Sequence, residues 1–218
     1  MSNAELVRAP QQERSRDTLR RMFDAAERLM AERSFEKITV QQIVKEAGTT
    51  IGAFYTRFKD KDALLESMHA EHIAENVALY EQTMSDLPGL AAHDRLELLV
   101  EMIGSAFRSR PALMRSGTLV FWNNPSGSKF GATLTKTHKD FSYQIRRLRG
   151  ELQKIAEDLD HPSPSGAANF ALKIMLASSR QHFLFTDDRT ILKISHRVFL
   201  RELTDMVFQY LSHGGHGK

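Results

Sequence analysis

Thr50, Tyr55, Thr56, Arg57 and Lys61 place three hydroxyls and two cations in one short segment of the 218-residue chain. The set contains no thiol, histidine or paired carboxylate. Its chemistry is therefore hydrogen-bond donation and positive charge rather than bond making. Tyr55 offers a phenolic hydroxyl and Arg57 a cation, both suited to phosphate oxygens. Lys61 is placed at the start of a helix, where unpaired N–H groups already favour an anion. Gly52 and Ala53, the smallest residues available, keep the same segment slim enough to approach base edges.

A second constellation, His69, His72 and Glu75, steps by three along a helix and raises the question of a metal ion. It lacks a His-Glu-x-x-His sequence, and no obvious remote ligand exists beyond His93 or His138, so core or solvated histidines are expected and no metal site. The chain has no cysteine, which excludes disulfides, thiolate metal sites and a cysteine nucleophile. It also lacks Gly-x-Ser-x-Gly, a phosphate loop and a carboxylate pair. No enzyme, catalytic residue or cofactor is expected.

The elements that must position the hydroxyls and cations are helical. Leu19, Met22, Phe23, Ala26, Leu29 and Met30 recur at three and four, which predicts an amphipathic helix over about 15–33. Thr39 is placed to cap a second helix carrying Val40, Ile43, Val44 and Ala47, with Gly48 as its stop. Thr49-Thr50 open a short third helix with Phe54 and Phe58 on its buried face. Thr50, Ile51, Ala53, Tyr55, Thr56 and Arg57 share the outward side. Two short helices joined by a glycine break fit a helix-turn-helix. A long helix follows to Pro88-Gly89. Further helices are expected near 92–108, 111–122, 130–159, 166–185 and 188–212, with no strand alternation of useful length. The class is all-α, about nine helices.

The stretch from Ala47 through Thr49-Thr50-Ile51-Gly52-Ala53-Phe54-Tyr55-Thr56-Arg57-Phe58 to Lys61-Asp62-Ala63-Leu64-Leu65 resembles the signature of the tetracycline-repressor (TetR) family. That signature has a small-residue turn, a glycine in the recognition helix, Tyr-x-x-Phe, and then Lys-[Glu/Asp]-x-Leu. Phe35-Glu36-Lys37-Ile38-Thr39-Val40-Gln41-Gln42-Ile43 is similar to the family's approach to its second helix. The resemblance covers about residues 15–65. It implies a homodimer that sets one recognition helix per subunit into successive major grooves of a near-palindromic double-stranded DNA operator. Carried over by position, Thr39, Tyr55 and Lys61 would touch phosphates, while Gln41, Thr50, Ile51 and Gly52 would lie near bases. Ile51 departs from the polar residues common there and offers only an apolar contact to a thymine methyl. Arg57 stands where an aromatic or histidine is common.

The resemblance also implies the division of the chain: an arm and helix-turn-helix domain over 1–60, a larger ligand-binding and dimerisation domain over 61–212, and a disordered Gly/His tail at 213–218. Ala167, Ala168, Ala171, Ala177, Ser178 and Ser179 permit close helix approach, and Ile191 to Tyr210 supply apolar area, so the last two long helices are the dimer candidates. Met102, Phe107, Phe121, Trp122, Phe141, Tyr143 and Met175 are candidates to line a pocket for a small apolar or amphipathic effector. Trp122 and Tyr143 bring polar handles.

The net charge of +3 says little about partners. Its distribution says more. Arg8, Arg14, Arg16, Arg20 and Arg21 crowd the N-terminus, whereas residues 66–101 are acidic, as expected of a nucleic-acid module on a separate body. No apolar run reaches the roughly 20 residues that span a bilayer, and the N-terminus has no signal-peptide core. A cytoplasmic protein without a membrane partner is expected. Two readings stand: a ligand-responsive repressor, or a DNA-bound organising or partner-binding protein without an inducer.

Overall fold

A computed structural model describes the backbone over residues 3–123, 129–185 and 193–213, and side chains over 13–118, 142–185 and 193–213. Within these the chain is helical: α1 (Asn3–Glu32), a 3-10 turn (Phe35–Lys37), α2 (Val40–Glu46), α3 (Ile51–Tyr55), α4 (Lys61–Asp86), α5 (Ala92–Arg108), α6 (Pro111–Asn123), α7 (Lys129–Asp158), α8 (Pro164–Phe185) and α9 (His196–His213). There is no strand among the described residues. No helix among them is long and apolar enough to cross a membrane.

The chain divides into two compact units, Met1–Ala70 with Ala112–Thr133, and Glu71–Pro111 with Leu134–Lys218. In the first, Met22, Phe23, Ala25, Ala26 and Met30 of α1 are buried with Phe35, Ile38, Ile43, Val44, Phe54, Phe58 and Leu64. Phe58 joins the cluster from both sides, its ring centroid 6.3 Å from Phe23 and 5.4 Å from Phe54. Burying an aromatic or Leu-sized side chain here contributes about 2 kcal/mol each. That burial is what lets helices of 7 and 5 residues, too short to stand alone in water, persist.

In the second unit the apolar stripe Leu96, Leu99, Val100 and Ile103 of α5 packs with Leu148, Leu152 and Ile155 of α7, Ala168, Ala171 and Met175 of α8, and Leu200, Leu203 and Val207 of α9. Two turns show how the chain reverses. Pro88-Gly89 closes a tight turn with Gly89 at φ 86° and Leu90 N–H on Leu87 O at 3.2 Å. At the end of α7, Asp160 takes a left-handed φ of 54°, and His161 N–H reaches back to Ala156 O at 2.9 Å.

Two helix starts differ from the sequence expectation. Helix α1 begins at Asn3 rather than near residue 15, because its polar first half has no apolar stripe for periodicity to detect. Helix α9 begins at His196 rather than near 188. Ser195 caps it, its carbonyl accepting from Phe199 N–H at 2.8 Å and its hydroxyl from Val198 N–H at 3.3 Å. The Gly/His tail beyond His213 lies outside the described residues.

Candidate nucleic-acid interface

The helix-turn-helix is assembled from its caps. Thr39 and Gln42 form a capping box at the start of α2: Gln42 N–H donates to the Thr39 hydroxyl at 3.2 Å, and Thr39 N–H donates to the Gln42 side-chain oxygen at 2.9 Å. At the end of α2, Gly48 N–H donates to Lys45 O, and Thr49 N–H returns to Val44 O at 2.9 Å. That paired return needs a left-handed residue, and Gly48 supplies it with φ 59°. Thr50 then starts α3, its hydroxyl accepting from Ala53 N–H at 3.1 Å.

With Phe54 turned into the core, Ile51, Gly52, Tyr55 and Thr56 form the exposed face of α3. Tyr55 is 55% exposed, and its hydroxyl meets no partner among the described residues. Thr56 donates its hydroxyl to Gly52 O at 2.8 Å. Gln41, on the first turn of α2, is exposed, as are Thr39 and Thr50. The structure therefore brings Thr39, Gln41, Thr50, Ile51, Gly52, Tyr55 and Thr56 to the surface of one compact helix pair.

Arg57 and Lys61 are used differently. The Arg57 guanidinium donates to Ala53 O at 2.9 Å and to the Ser15 hydroxyl of α1 at 2.9 Å. Lys61 Nζ lies 3.0 Å from both Phe35 O and Glu36 O and 3.2 Å from Ile38 O, over the Phe35 ring at 4.8 Å. All three ammonium protons thus face carbonyls at the end of the 3-10 turn. At the start of α4 the Asp60 carboxylate already accepts from Ala63 N–H at 2.8 Å. Sequence pattern pointed to phosphate for both cations; in this structure they hold helices together.

Residues 23–68 match the family profile described as "Bacterial regulatory proteins, tetR family". The chain is 34% identical over 87 residues to the HTH-type transcriptional regulator YerO of Bacillus subtilis, a match covering 40% of this chain and 29% of that protein. It is 26% identical over 139 residues to the HTH-type transcriptional regulator EthR of Mycolicibacterium smegmatis, covering 62% and 64%. The matched part thus spans less than two thirds of each of these curated relatives. In fold it is similar to the Bacillus subtilis transcriptional regulator FadR in complex with stearoyl-CoA, with a TM-score of 0.58 at 19% identity over 90% of this chain and 98% of that one. Over residues 23–68 the chain carries a domain of the tetR regulatory type.

The residues expected to line an effector pocket fall mostly in the second unit. Met102 and Met175 are buried in the core of the second unit, with Phe107 partly buried against it. Tyr143 is not enclosed. It is 49% exposed, because it stands on the side of α7 opposite Leu148, Leu152 and Ile155. There it flanks the Arg147 guanidinium, which lies 5.6 Å from the rings of both Tyr143 and Tyr80. The side chains of Phe121, Trp122 and Phe141 lie outside the described residues. An open groove of about 860 Å³ runs between α5 and α9, lined among others by Leu98, Arg108, His196, Arg197 and Leu200. Among the described residues, Met102, Phe107, Tyr143 and Met175 do not line it.

The histidines have structural uses. His69 is buried against α6 where residue 117 is glycine; a Cβ there would fall 2.4 Å from His69 Nε2. His72 is buried, with Nε2 3.3 Å from Ala106 O. What sequence reading missed is Arg21. Its Nη1 donates to Ala47 O and Gly48 O, both at 3.1 Å, which holds α1 to the end of α2. No local pattern marks a bond made across 26 residues. Asp60 was legible, since an Asp three residues before a helical N–H is a common cap.

Proposed function

We propose that this tetR-family regulator is a homodimeric repressor that docks α3 in the major groove of a near-palindromic operator and is released by a small amphipathic effector. The observation that carries the DNA half is the composition of the exposed face of α3. Tyr55 presents an unengaged hydroxyl, Gly52 presents no side chain, and Thr50 and Thr56 flank them. Thr39, Tyr55 and Thr56 meet phosphates, while Gln41, Thr50, Ile51 and Gly52 face bases. Arg57 and Lys61 act on DNA binding through the geometry of the helices they join. The functional division runs 1–60 for DNA binding and 61–212 for effector binding and dimerisation, and the protein works in the cytoplasm.

The dimer rests on a stripe of apolar and small residues on the outer side of α8 and α9. Phe170 and Met206 are 50% and 52% exposed. Phe170 packs against Tyr210 with ring centroids 5.0 Å apart and tilted by 51°, and half-buried Ile174, exposed Ala177 and half-buried Ser178 follow at helical spacing. Large apolar side chains as exposed as Phe170 and Met206, beside half-buried Ile174 and Tyr210, suit a surface that a second copy covers.

FadR of Bacillus subtilis binds an acyl-CoA, and an effector with an apolar tail and a polar head is the corresponding expectation here. Selection of duplexes from a random pool, followed by release assays with acyl-chain compounds, tests both halves. An inverted-repeat site freed by such a compound supports the reading. Binding without sequence preference, unaffected by any of them, points to the organising role instead.

A further inference from the structure

We propose that Arg14 of α1 is a further phosphate-contacting residue, so that the operator is gripped beyond the segment read by α3. This rests on the reading that α3 docks on DNA. Helix α1 is fastened to the helix-turn-helix at two points. Arg21 sits on the carbonyls of Ala47 and Gly48 in the turn, and Ser15 receives the Arg57 guanidinium from the end of α3. Between these fastenings α1 has no freedom to swing away from the recognition helix. Whatever projects from it moves with α3.

Arg14, Thr18 and Arg21 follow one another at i, i+4 and i+7, one stripe of the helix surface. The stripe is continuous through its own bonds: Arg21 Nη2 donates to the Thr18 hydroxyl at 3.4 Å, and that hydroxyl donates to Arg14 O at 2.8 Å. At one end the stripe rests on the turn. At the other it carries Arg14, about 10 Å further along the axis. Arg14 is exposed, and its guanidinium meets no partner among the described residues. Asp17, three residues on, is already paired with Arg21 Nε at 3.2 Å. A planar, permanently charged fork in continuity with a DNA-facing turn matches a phosphate. Arg16 and Arg20 are equally basic and exposed, but they lie about 160° and about 120° around the helix from Arg14. They point away from the stripe that meets the turn.

The test uses the full-length protein and a duplex selected from a random pool by the wild type, with affinity measured by anisotropy across a salt series. Arg14→Gln lowers the slope of log affinity against log salt by about 0.9, so its loss of affinity between 50 and 200 mM salt is roughly 3.5-fold smaller than that of the wild type. Arg16→Gln and Arg20→Gln leave the slope unchanged, and the Arg14→Gln protein selects the same core sequence. An unchanged slope for Arg14→Gln overturns the proposal, as does an equal fall for the two control variants, which would reduce the effect to bulk charge. If the wild type selects no duplex at all, the DNA-docking reading itself has failed, and that outcome is distinct from both.

Discussion

Replacing Lys61 by methionine separates two roles that look alike in sequence. The substitution keeps the aliphatic stem and removes the ammonium, leaving Phe35 O, Glu36 O and Ile38 O without the donor now 3.0–3.2 Å from them. A single charge-assisted bond contributes about 1.5–3 kcal/mol, but the three share one charge, so their contributions do not sum. Lys61 is half-buried and Glu36 O is open to water, which weakens that share further. Loss of the contact over the Phe35 ring adds a few tenths to about 1 kcal/mol. The net cost is about 2 kcal/mol, equivalent to a fall in melting temperature of roughly 4–8 °C for a chain of this size.

Thermal unfolding followed by circular dichroism reads that shift. The salt slope of operator binding, taken well below the transition, reads any phosphate contact. Lys61→Met is expected to melt several degrees lower and to keep the wild-type slope. A melting temperature within about 1 °C of wild type, together with a slope lower by about one, would refute the reasoning. It would mean that the ammonium leaves the 3-10 turn to reach DNA.

Tyr55→Phe removes one unengaged hydroxyl and is expected to weaken binding about fivefold while selection from random DNA returns the same site; an altered site would count against a phosphate role. Gln41→Ala or Ile51→Ala should instead relax one position per half-site, and an unchanged selected sequence contradicts the base-facing assignment. Gly117→Ala puts a methyl carbon 2.4 Å from His69 Nε2, an overpacking that costs about 1–3 kcal/mol; an unaltered melting curve shows that α6 yields freely. Burial, and then the charge of His196, hold the His182 imidazole below its ordinary pKa. The folded protein therefore takes up this proton less readily than the unfolded chain, and its contribution is full above about pH 6.5 and lost as pH falls below that. The urea midpoint should drop between pH 7.5 and 5.5 in the wild type and drop less in His182→Leu; equal drops would assign the acid sensitivity elsewhere.

The sequence carried the all-helical class because burial in these helices follows a 3.6-residue period: Leu96, Leu99, Val100 and Ile103 need only counting. It carried the turn because glycine takes the left-handed φ of Gly48 without the steric cost of a Cβ. Helix starts were less legible where the determinant was a cap or a polar run, as at Ser195 and Asn3. The least legible feature was the partner of each cation. Arg57 and Lys61 look like phosphate ligands by type and place, but Ser15 is 42 residues from Arg57 and Phe35 is 26 from Lys61. Only the packing of α1 and the 3-10 turn brings those acceptors within reach. Residue type alone suggested a pocket role for Tyr143, whereas its exposure follows from a position on α7 opposite the apolar ladder.

The destinations of Arg21, Arg57 and Lys61 share a physical cause. Helices of 7 and 5 residues have almost as many unpaired terminal carbonyls as internal hydrogen bonds, and the 3-10 turn adds more. A carbonyl cluster at a helix end carries partial negative charge, and a cation delivered from another element satisfies it while fixing the angle between the two. Arg21 does this at the end of α2, and Lys61 at the end of the 3-10 turn. Arg57 does it at Ala53 O while reaching Ser15. The exposed face of α3 is consequently richer in hydroxyls than in charge. Neutral replacements at Arg21, Arg57 or Lys61 should lower stability and affinity together, whereas changes at Tyr55 or Gln41 lower affinity alone. Plotting melting temperature against operator affinity for the five variants tests that division, because a single line through all of them would mean that the cations and the exposed face act in the same way.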